Sequence, residues 1–319
     1  MKLGFVTDSL GNLPLREMLK QAERLEVSGL EINTGGWSTA PHFNLAQMFA
    51  SADDRKALKR SFQEHNLEII SLNANGNPLH PTQPEQGQCL RDTLRVAGEL
   101  GVKTVCTMSG LPEGRAGDSM PNWVVASWPP ETQTMLRYQW EERLLPFWSE
   151  MADLAKENGV ERIALELHGN QCVYNVRSLL KLRNAIGPVL GANLDPSHLF
   201  WMGADPLVAA EALGDAIYHV HAKDTLLNAP VQAVDSLLEN GSLMDISSRS
   251  WSYITLGFGH GEQWWRQFCY RLKMAGYDGW LSIEHEDVLL NSLEGLEKSV
   301  RLLKSVMPVA ASDFKPQSI

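Results

Sequence analysis

Short apolar runs alternate with longer amphipathic segments along most of the 319-residue chain. The runs are rich in aliphatic and β-branched residues, which is typical of buried strands, and the segments between them have helical spacing. The runs predicted as strands are Leu3–Thr7, Gly29–Asn33, Glu68–Asn73, Lys103–Thr107, Arg162–Leu167, Ala192–Leu194, Ile217–His221 and Trp280–Glu284. Helices are predicted between them, among others at Leu15–Leu25, Asp54–His65, Gln88–Leu100, Leu144–Asn158 and Val176–Ala185.

The alternation of eight strands with helices predicts an α/β protein with a parallel sheet closed into a barrel. An open, doubly wound sheet is the alternative, but such sheets usually carry a glycine-rich turn after the first strand. The sequence TDSLGN at that place has no GxGxxG pattern. We therefore expect one (β/α)8 barrel domain over residues 1–308, followed by a frayed tail at 309–319.

Two connections are too long to be simple turns, namely residues 110–138 after the fourth strand and residues 224–261 after the seventh. Long connections in compact domains usually serve as lids, binding walls or oligomer contacts. Both start at the carboxyl end of a strand, which is the catalytic face of a βα barrel. We therefore expect both to surround the mouth of the barrel.

Composition and charge narrow the environment and the partners. Hydrophobic residues make up 44% of the chain, and the formal net charge is −10 with no basic cluster, which argues against nucleic acid as a partner. The four cysteines form no CxxC pair, which favours reduced thiols. No apolar run approaches the length that spans a bilayer, and MKLGFVTDSL reads as a first strand. The prediction is a cytoplasmic protein without a membrane partner.

Four acidic or imidazole residues fall at the ends of four consecutive apolar runs in the second half of the chain: Glu166, Asp195, His221 and Glu284. Parallel strands of a barrel point their carboxyl ends at one mouth, so these side chains should converge there. Buried charges are costly unless they are paired or bind a metal, and no Arg or Lys alternates in to neutralise them. Carboxylate and imidazole ligands suit Mn²⁺, Mg²⁺, Co²⁺ or Zn²⁺. The sequence predicts a divalent metal site.

The segments around these residues resemble the sugar phosphate isomerase/epimerase family. This is the xylose isomerase-like TIM barrel group, which includes ketose 3-epimerases, inosose isomerases and dehydratases, and the family IV endonucleases. The resemblance covers nearly the whole chain and is most specific in Asp195-Pro196-Ser197-His198 and His219-Val220-His221-Ala222-Lys223-Asp224, with Glu166 and Ile283-Glu284-His285.

The resemblance implies one metal ion, Mn²⁺ before Co²⁺, Mg²⁺ or Zn²⁺, held by Glu166, Asp195, His221 and Glu284. It also implies that Glu166 and Glu284 are the catalytic acid/base pair of an isomerase or epimerase that acts on a keto-sugar or keto-cyclitol through a metal-stabilised enediolate. Two carboxylates on opposite sides of the substrate could then remove a proton from one face and return one to the other.

Three further residues near the metal are predicted to contact substrate. His198 follows Asp195 by three positions and should reach over the metal, although a helix-capping or surface role is the alternative. His168 lies one step beyond Glu166 and suits either a substrate contact or support of a metal ligand. Lys223 and Asp224 should form a pair at the barrel rim. A solvated ion pair and a contact with substrate are equally favoured roles for that pair.

Two residues of the second long connection, Arg249 and His260, could bind a polar or anionic part of the substrate. The stretch Gly257–Gly261 precedes a predicted helix, and such turns can cradle anions. Glu262 at the start of that helix would compete with a phosphate, so we expect a non-phosphorylated sugar or cyclitol. Neither a homo-oligomer nor a second subunit is excluded by the sequence.

Three other functions are alternatives for this sequence. A nuclease of this family needs more histidines at the ends of the second to fourth strands. Those ends read EINTGG, SLNANG and CTMSG and contain no histidine, which disfavours a nuclease. A lyase or dehydratase acting on an inosose or a 3-keto-glycoside would use the same metal site and stays open. A sugar-binding protein without catalysis is disfavoured by the paired glutamates.

Overall fold

The computed structural model describes residues 1–314 and contains all eight predicted strands, together with two more in the second long connection. Residues 315–319 of the predicted tail lie outside the described residues. The strands are β1 Lys2–Val6, β2 Gly29–Gly36, β3 Glu68–Asn75, β4 Thr104–Thr107, β5 Arg162–Glu166, β6 Leu190–Leu194, β7 Ile217–Ala222, β8 Asp224–Leu227, β9 Trp251–Ile254 and β10 Trp280–Ile283.

Eight parallel strands close into a barrel in the order β1, β10, β7, β6, β5, β4, β3, β2. Closure comes from β1, which pairs with β10 on one side and with β2 on the other. Helices surround this barrel, so the predicted (β/α)8 architecture is confirmed and the open-sheet alternative is wrong. The carboxyl ends of β5, β6, β7 and β10, which carry the four predicted ligands, are neighbours in the barrel.

The five helices named above are present, with ends shifted by a few residues. The helices are α1 Leu15–Arg24, α2 Leu45–Ala50, α3 Ala52–Glu64, α4 Pro84–Leu100, α5 Glu131–Tyr138, α6 Leu145–Glu157, α7 Val176–Ile186, α8 Pro196–Trp201, α9 Pro206–Leu213, α10 Ala229–Asp235, α11 Glu262–Met274 and α12 Ser292–Val306. Single 3-10 turns lie at Thr7–Leu10 and Gly214–Ala216, and a π turn at Gln139–Leu144 joins α5 to α6. No helix of the described residues is long and apolar enough to cross a bilayer.

Helix α4 shows how local sequence sets an element and its packing. Pro84 starts it, where the missing N–H costs nothing, and Gly101 ends it with φ 75°, a left-handed value that glycine adopts without a clash. Leu90, Leu94 and Ala97 follow helical spacing on one face and are fully buried. The hydrophobic core lies between such helix faces and the outer surface of the barrel.

The interior of the barrel is partly polar. Glu31 of β2, Asn73 of β3, Asn193 of β6 and His219 of β7 are all buried on inward-facing strand positions. Most barrels of this kind fill their interior with branched aliphatic side chains. Three members of this layer bond to one another, because Glu31 accepts from Asn73 and from His219, whereas the Asn193 amide makes no side-chain hydrogen bond within the described residues.

The second long connection is built around an antiparallel hairpin, in which Asp224 pairs with Ile254 and Leu227 with Trp251. The first long connection has little regular structure before α5, apart from a bridge between Glu113 and Pro121. Both connections leave the carboxyl ends of their strands, as predicted. The hairpin brings residues of the second connection next to the barrel mouth.

Candidate metal centre

The structure brings the four predicted ligands together. One ligand atom from each of Glu166, Asp195, His221 and Glu284 lies within 4.8 Å of every other, and all four residues are buried. They lie at or next to the carboxyl ends of β5, β6, β7 and β10, which are four adjacent strands of the barrel. Three carboxylates and one imidazole offer mainly hard oxygen donors, which suits Mn²⁺, Co²⁺, Mg²⁺ or Zn²⁺.

Asp195 is fixed by the start of α8. It is the N-cap residue of that helix, followed by Pro196 in the first turn, and its Oδ1 accepts a hydrogen bond of 2.8 Å from the Ser197 N–H. Asp before Pro at a helix start is a strong cap, because one carboxylate oxygen satisfies a backbone N–H that the helix leaves free. The other oxygen, Oδ2, lies 3.3 Å from His198 Nε2 and 3.7 Å from Lys223 Nζ. The capping bond on Oδ1 therefore leaves Oδ2 on the side of these two residues.

His221 is fixed by a carboxylate inside the barrel. Its Nε2 lies 3.1 Å from Glu31 Oε1, and its Nδ1 lies 3.4 Å from Glu284 Oε2 and 3.7 Å from Glu166 Oε2. Burial alone would raise the pKa of Glu31, but His221 and His219 outweigh burial and hold it well below its usual range. Glu31 is thus an ionised acceptor for the Nε2–H group of His221.

The free atoms of the cluster fit a metal ion. Within the described residues, His221 Nδ1 and Asp195 Oδ2 are buried and make no hydrogen bond. Buried polar atoms without a partner are rare in native proteins and call for a ligand, an ion or a water. Both orphaned atoms belong to the four ligands, and both face the space that the four share.

A buried lysine balances the negative charge. Lys223 Nζ donates to Glu284 Oε2 at 2.7 Å, lies 3.0 Å from Glu286 Oε2 and is 3.7 Å from Asp195 Oδ2. Burial would raise the pKa of Glu284, yet Lys223 and His221 outweigh it and place that pKa far below its usual range. Glu284 is therefore ionised, as a ligand or a base must be. The predicted rim pair of Lys223 with Asp224 is wrong, because Lys223 lies in the cluster instead.

A cavity of about 310 Å³ opens over the cluster at the barrel mouth. Its lining is mostly polar and acidic and comprises Asp8, Ser9, Asn33, Trp37, Ser38, Asn75, Met108, Glu166, His168, Lys223, Glu284, His285 and Glu286. Trp37 is 52% exposed and offers an aromatic face there. Trp123 borders another pocket instead, and Trp251 is buried against Trp201.

The two histidines near the metal differ in what they contact. His198 is buried, with Nε2 2.6 Å from Glu166 Oε1 and Nδ1 2.9 Å from the Tyr253 hydroxyl. Burial would lower the pKa of His198, but Asp195 and Glu166 raise it to about 9. His168 lines the cavity, and burial lowers its pKa well below the usual range. His168 is therefore a neutral group that lines the cavity, whereas His198 contacts the ligand candidates Glu166 and Asp195.

The side chain of Asp224 occupies the glycine-rich turn Gly257–Gly261, which the sequence suggests as a site for an anion. Its Oδ2 accepts the backbone N–H groups of Gly257 at 3.0 Å, Gly259 at 3.2 Å and His260 at 2.9 Å. Its Oδ1 lies 2.8 Å from His260 Nδ1. The anion that these three N–H groups bind is the protein's own carboxylate, so none of the three is left for a phosphate.

Neither His260 nor Arg249 lines the cavity over the cluster, and their predicted substrate roles stay predictions. His260 is held by Asp224 and stacks on Phe200 at 3.7 Å between ring centroids. Arg249 is buried in the second long connection, where it donates to the carbonyls of Trp251 and Gly241. Its guanidinium therefore joins two parts of the same connection by hydrogen bonds.

Sequence reasoning did not identify Glu31 or Tyr253, although both contact residues of the cluster. A signal for Glu31 was available, because a carboxylate in the middle of the apolar strand GLEIN must face inward and needs partners. No comparable signal marks Tyr253, whose position depends on the pairing of β8 with β9.

Comparison with known proteins adds a family and several relatives. A family model described as "Xylose isomerase-like TIM barrel" matches residues 19–306. A protein of Bacillus subtilis (strain 168), named "Uncharacterized protein YfiH", is 46% identical over 313 residues, which is 96% of this chain and 99% of that protein.

Three solved structures share the fold. The probable 3-DHS dehydratase AsbF of Bacillus anthracis has a TM-score of 0.66 at 16% identity, covering 95% of this chain and 99% of its own. The IolI protein with a bound zinc atom has a TM-score of 0.65 at 19% identity, and a D-tagatose 3-epimerase-like protein has a TM-score of 0.64 at 21% identity. Each match covers 96% of this chain and 98% of the other chain. At such identities the likeness shows the fold alone.

Proposed function

The chain belongs to the xylose isomerase-like TIM barrel family, and on that premise we propose that it is a divalent-metal-dependent isomerase or epimerase of an uncharged keto-sugar or keto-cyclitol. The observation that carries the proposal is the position of Glu166 and Glu284, which are metal-ligand candidates and also line one cavity. A metal-binding protein without catalysis would not need two carboxylates facing its ligand.

The ion would be held by Glu166, Asp195, His221 and Glu284, and when bound it would supply Lewis-acid stabilisation of the oxygen that gains charge as a proton leaves the neighbouring carbon. Mn²⁺ fits the three oxygen donors and one nitrogen donor, and the zinc in the solved IolI structure makes Zn²⁺ a second choice. Asp195 and His221 carry no further task in this proposal.

The proton is carried by the two glutamates. Strands β5 and β10 are separated by β6 and β7, so Glu166 and Glu284 reach the cavity from two different sides. One carboxylate removes the proton from the carbon next to the carbonyl, which leaves an enediolate, and the other returns a proton to the opposite face. Removing such a base typically lowers the rate by about 10²–10⁴-fold.

The cavity chemistry favours an uncharged substrate. Its lining contains the carboxylates of Asp8, Glu166, Glu284 and Glu286, whereas its one ammonium group, Lys223, is already bonded to two of them. Desolvating another anion beside these groups would be unfavourable. Hydroxyl groups can instead bond to the acidic and amide side chains, and Trp37 can cover an apolar ring face.

A second function, elimination by a lyase or dehydratase, is favoured by Lys223. Its ammonium group lies in the cavity wall between Glu284 and Glu286, where a proton donor to a leaving oxygen would be needed. In that reaction one glutamate takes the proton next to the carbonyl, the bond to the β-oxygen breaks, and the departing oxygen gains a proton. An inosose or a 3-keto-glycoside could react in this way.

Incubation in D₂O distinguishes the two reactions. The protein with Mn²⁺ is mixed with ketoses, inososes and 3-keto-glycosides, and deuterium uptake is followed by NMR. Deuterium in a recovered sugar supports isomerase or epimerase activity, whereas a new enone absorbance supports elimination. Tight sugar binding without either signal would refute both and favour a binding protein.

The variant Glu284→Gln is the residue-level test. It should lose at least about 10²-fold in exchange rate while keeping the fold, because Gln cannot take the proton. Glu113→Gln is the matched control, since Glu113 is a buried glutamate bonded to Tyr138 away from the cavity. Exchange by Glu284→Gln at the wild-type rate would contradict the proposed site.

A further inference from the structure

We propose that Glu31 is a positioning residue of the metal centre, which holds His221 in the one tautomer that can bind an ion through Nδ1. The inference rests on the proposed metal-dependent function and extends it to a residue that neither contacts the cavity nor belongs to the four ligands.

Glu31 lies in the middle of β2 and is fully buried. Its Oε1 accepts from Asn73 Nδ2 at 2.8 Å and from His221 Nε2 at 3.1 Å, and its Oε2 accepts from His219 Nε2 at 2.6 Å. Strands β2 and β7 are separated by β1 and β10, so this carboxylate reaches the two histidines across the interior of the barrel. Both oxygens are thus braced by side chains from other strands.

The chemistry of imidazole makes this contact decisive. A neutral histidine carries one proton, on either Nδ1 or Nε2, and the nitrogen without the proton is the one that can bind a metal. An ionised carboxylate accepts but cannot donate, so the nitrogen that faces Glu31 must carry the proton. The lone pair is then on Nδ1, which faces Glu166 and Glu284. Carboxylates in this role typically change metal affinity by 10–100-fold.

One alternative uses the same atoms. Glu31, His219 and His221 also meet the distance criterion for an ion-binding group, so they could hold a second ion of their own. We favour hydrogen bonding, because Asn73 donates to the same Glu31 oxygen that faces His221. Each contact around the carboxylate is then accounted for by a donor of the protein.

The test is metal binding by the variant Glu31→Gln. Gln keeps the shape but brings an NH₂ donor, which must face His219, His221 or Asn73 and cannot satisfy all three as a carboxylate does. Calorimetric titration with Mn²⁺ and Zn²⁺ should show one ion per wild-type chain and a Kd raised by about 10–100-fold in the variant. Glu113→Gln, which changes another buried carboxylate outside the metal centre, should leave the Kd unchanged even if it lowers stability.

A second measurement reports the tautomer directly. In NMR spectra of zinc-loaded protein with ¹⁵N-labelled histidine, His221 should carry its proton on Nε2, and the metal should shift the resonance of its Nδ1. The variant His219→Gln distinguishes the signals of His219 from those of His221. A purely structural role for Glu31 would change neither the Kd nor this pattern. If Glu31→Gln does not fold, Glu31→Asp, which withdraws the carboxylate by one methylene, must show the weaker binding.

Three outcomes would overturn the inference. A Kd for Glu31→Gln within twofold of wild type would refute it and leave the proposed function intact. Two ions in wild type and one in His219→Gln would show that the carboxylate is a ligand of a second site. Failure of the wild-type protein to bind any divalent ion would refute the proposed function itself, and the inference with it.

Discussion

Removing the positive charge of Lys223 should destabilise the metal-free protein far more than the metal-loaded one. In Lys223→Met, the carboxylates of Glu284 and Glu286 and the nearby Asp195 lose the ammonium group that faces them at 2.7, 3.0 and 3.7 Å. Breaking a buried ion pair by removing one partner costs about 3–5 kcal/mol. Met keeps most of the apolar stem, so the change is mainly one of charge.

The expected shift in melting temperature follows from the size of the chain. An unfolding entropy of about 2.1 cal/mol/K per residue over 319 residues gives roughly 0.67 kcal/mol/K, so the loss corresponds to about 4.5–7.5 °C. A divalent ion would replace the missing positive charge beside Glu284. We therefore expect the difference between variant and wild type to shrink by at least half at saturating Mn²⁺.

Differential scanning calorimetry with and without Mn²⁺ measures both quantities. Lys298→Met is the control, because Lys298 forms an exposed helix pair with Glu294 and should change the melting temperature by less than about 1 °C. A metal-free loss below 2 °C would show that Lys223 is not needed to balance the cluster. A loss that Mn²⁺ does not reduce would show that the ion binds elsewhere.

Three more predictions follow from the site. Trp37→Ala should raise KM by about tenfold with kcat nearly unchanged, because about 1.4 kcal/mol of ring contact is lost; Trp128→Ala, exposed but outside the cavity, should not. Metal affinity should increase about tenfold per pH unit at pH values below the pKa of His221. Burial would lower that pKa, but Glu31 and Glu284 raise it well above its usual value. An ion that binds His221 must therefore displace a proton. Calorimetry in buffers of different ionisation enthalpy would count that proton, and a pH-independent Kd would contradict the assignment. Asp224→Ala should speed hydrogen exchange of the turn amides that it binds and cost about 3 kcal/mol or more; unchanged exchange would show that the turn is held by other contacts.

The barrel and the ligand cluster could be predicted because they depend on local patterns. Apolar runs of strand length alternating with amphipathic helices specify parallel strands, and parallel strands in a barrel end at one mouth. Glu166, Asp195, His221 and Glu284 therefore had to meet once the barrel closed. The position of Asp195 also follows from local sequence, because Asp before Pro is a common helix start at which the Asp side chain caps the helix.

The wrong predictions concern contacts that no local pattern records. Lys223 and Asp224 are neighbours in sequence, but successive side chains of an extended segment point to opposite sides, so they could not pair. Lys223 meets Glu284 from β10, and Asp224 meets the turn before α11. The surroundings of Arg249, whose substrate role stays a prediction, depend on the pairing of β8 with β9. The identity of the metal, cytoplasmic localisation and assembly stay predictions.

The polar layer inside the barrel limits how this protein could be made more heat-resistant. Repacking a barrel with larger aliphatic side chains is a common route to stability, and Glu31, Asn73 and His219 would be obvious targets because they interrupt the aliphatic interior. Leucine or valine in place of Glu31 would leave His221 without its orienting partner, and in place of Asn73 or His219 would remove a donor that holds Glu31. Thermostabilising substitutions therefore belong on the outer helices and in the connections, where the same gain leaves the centre of the barrel unchanged.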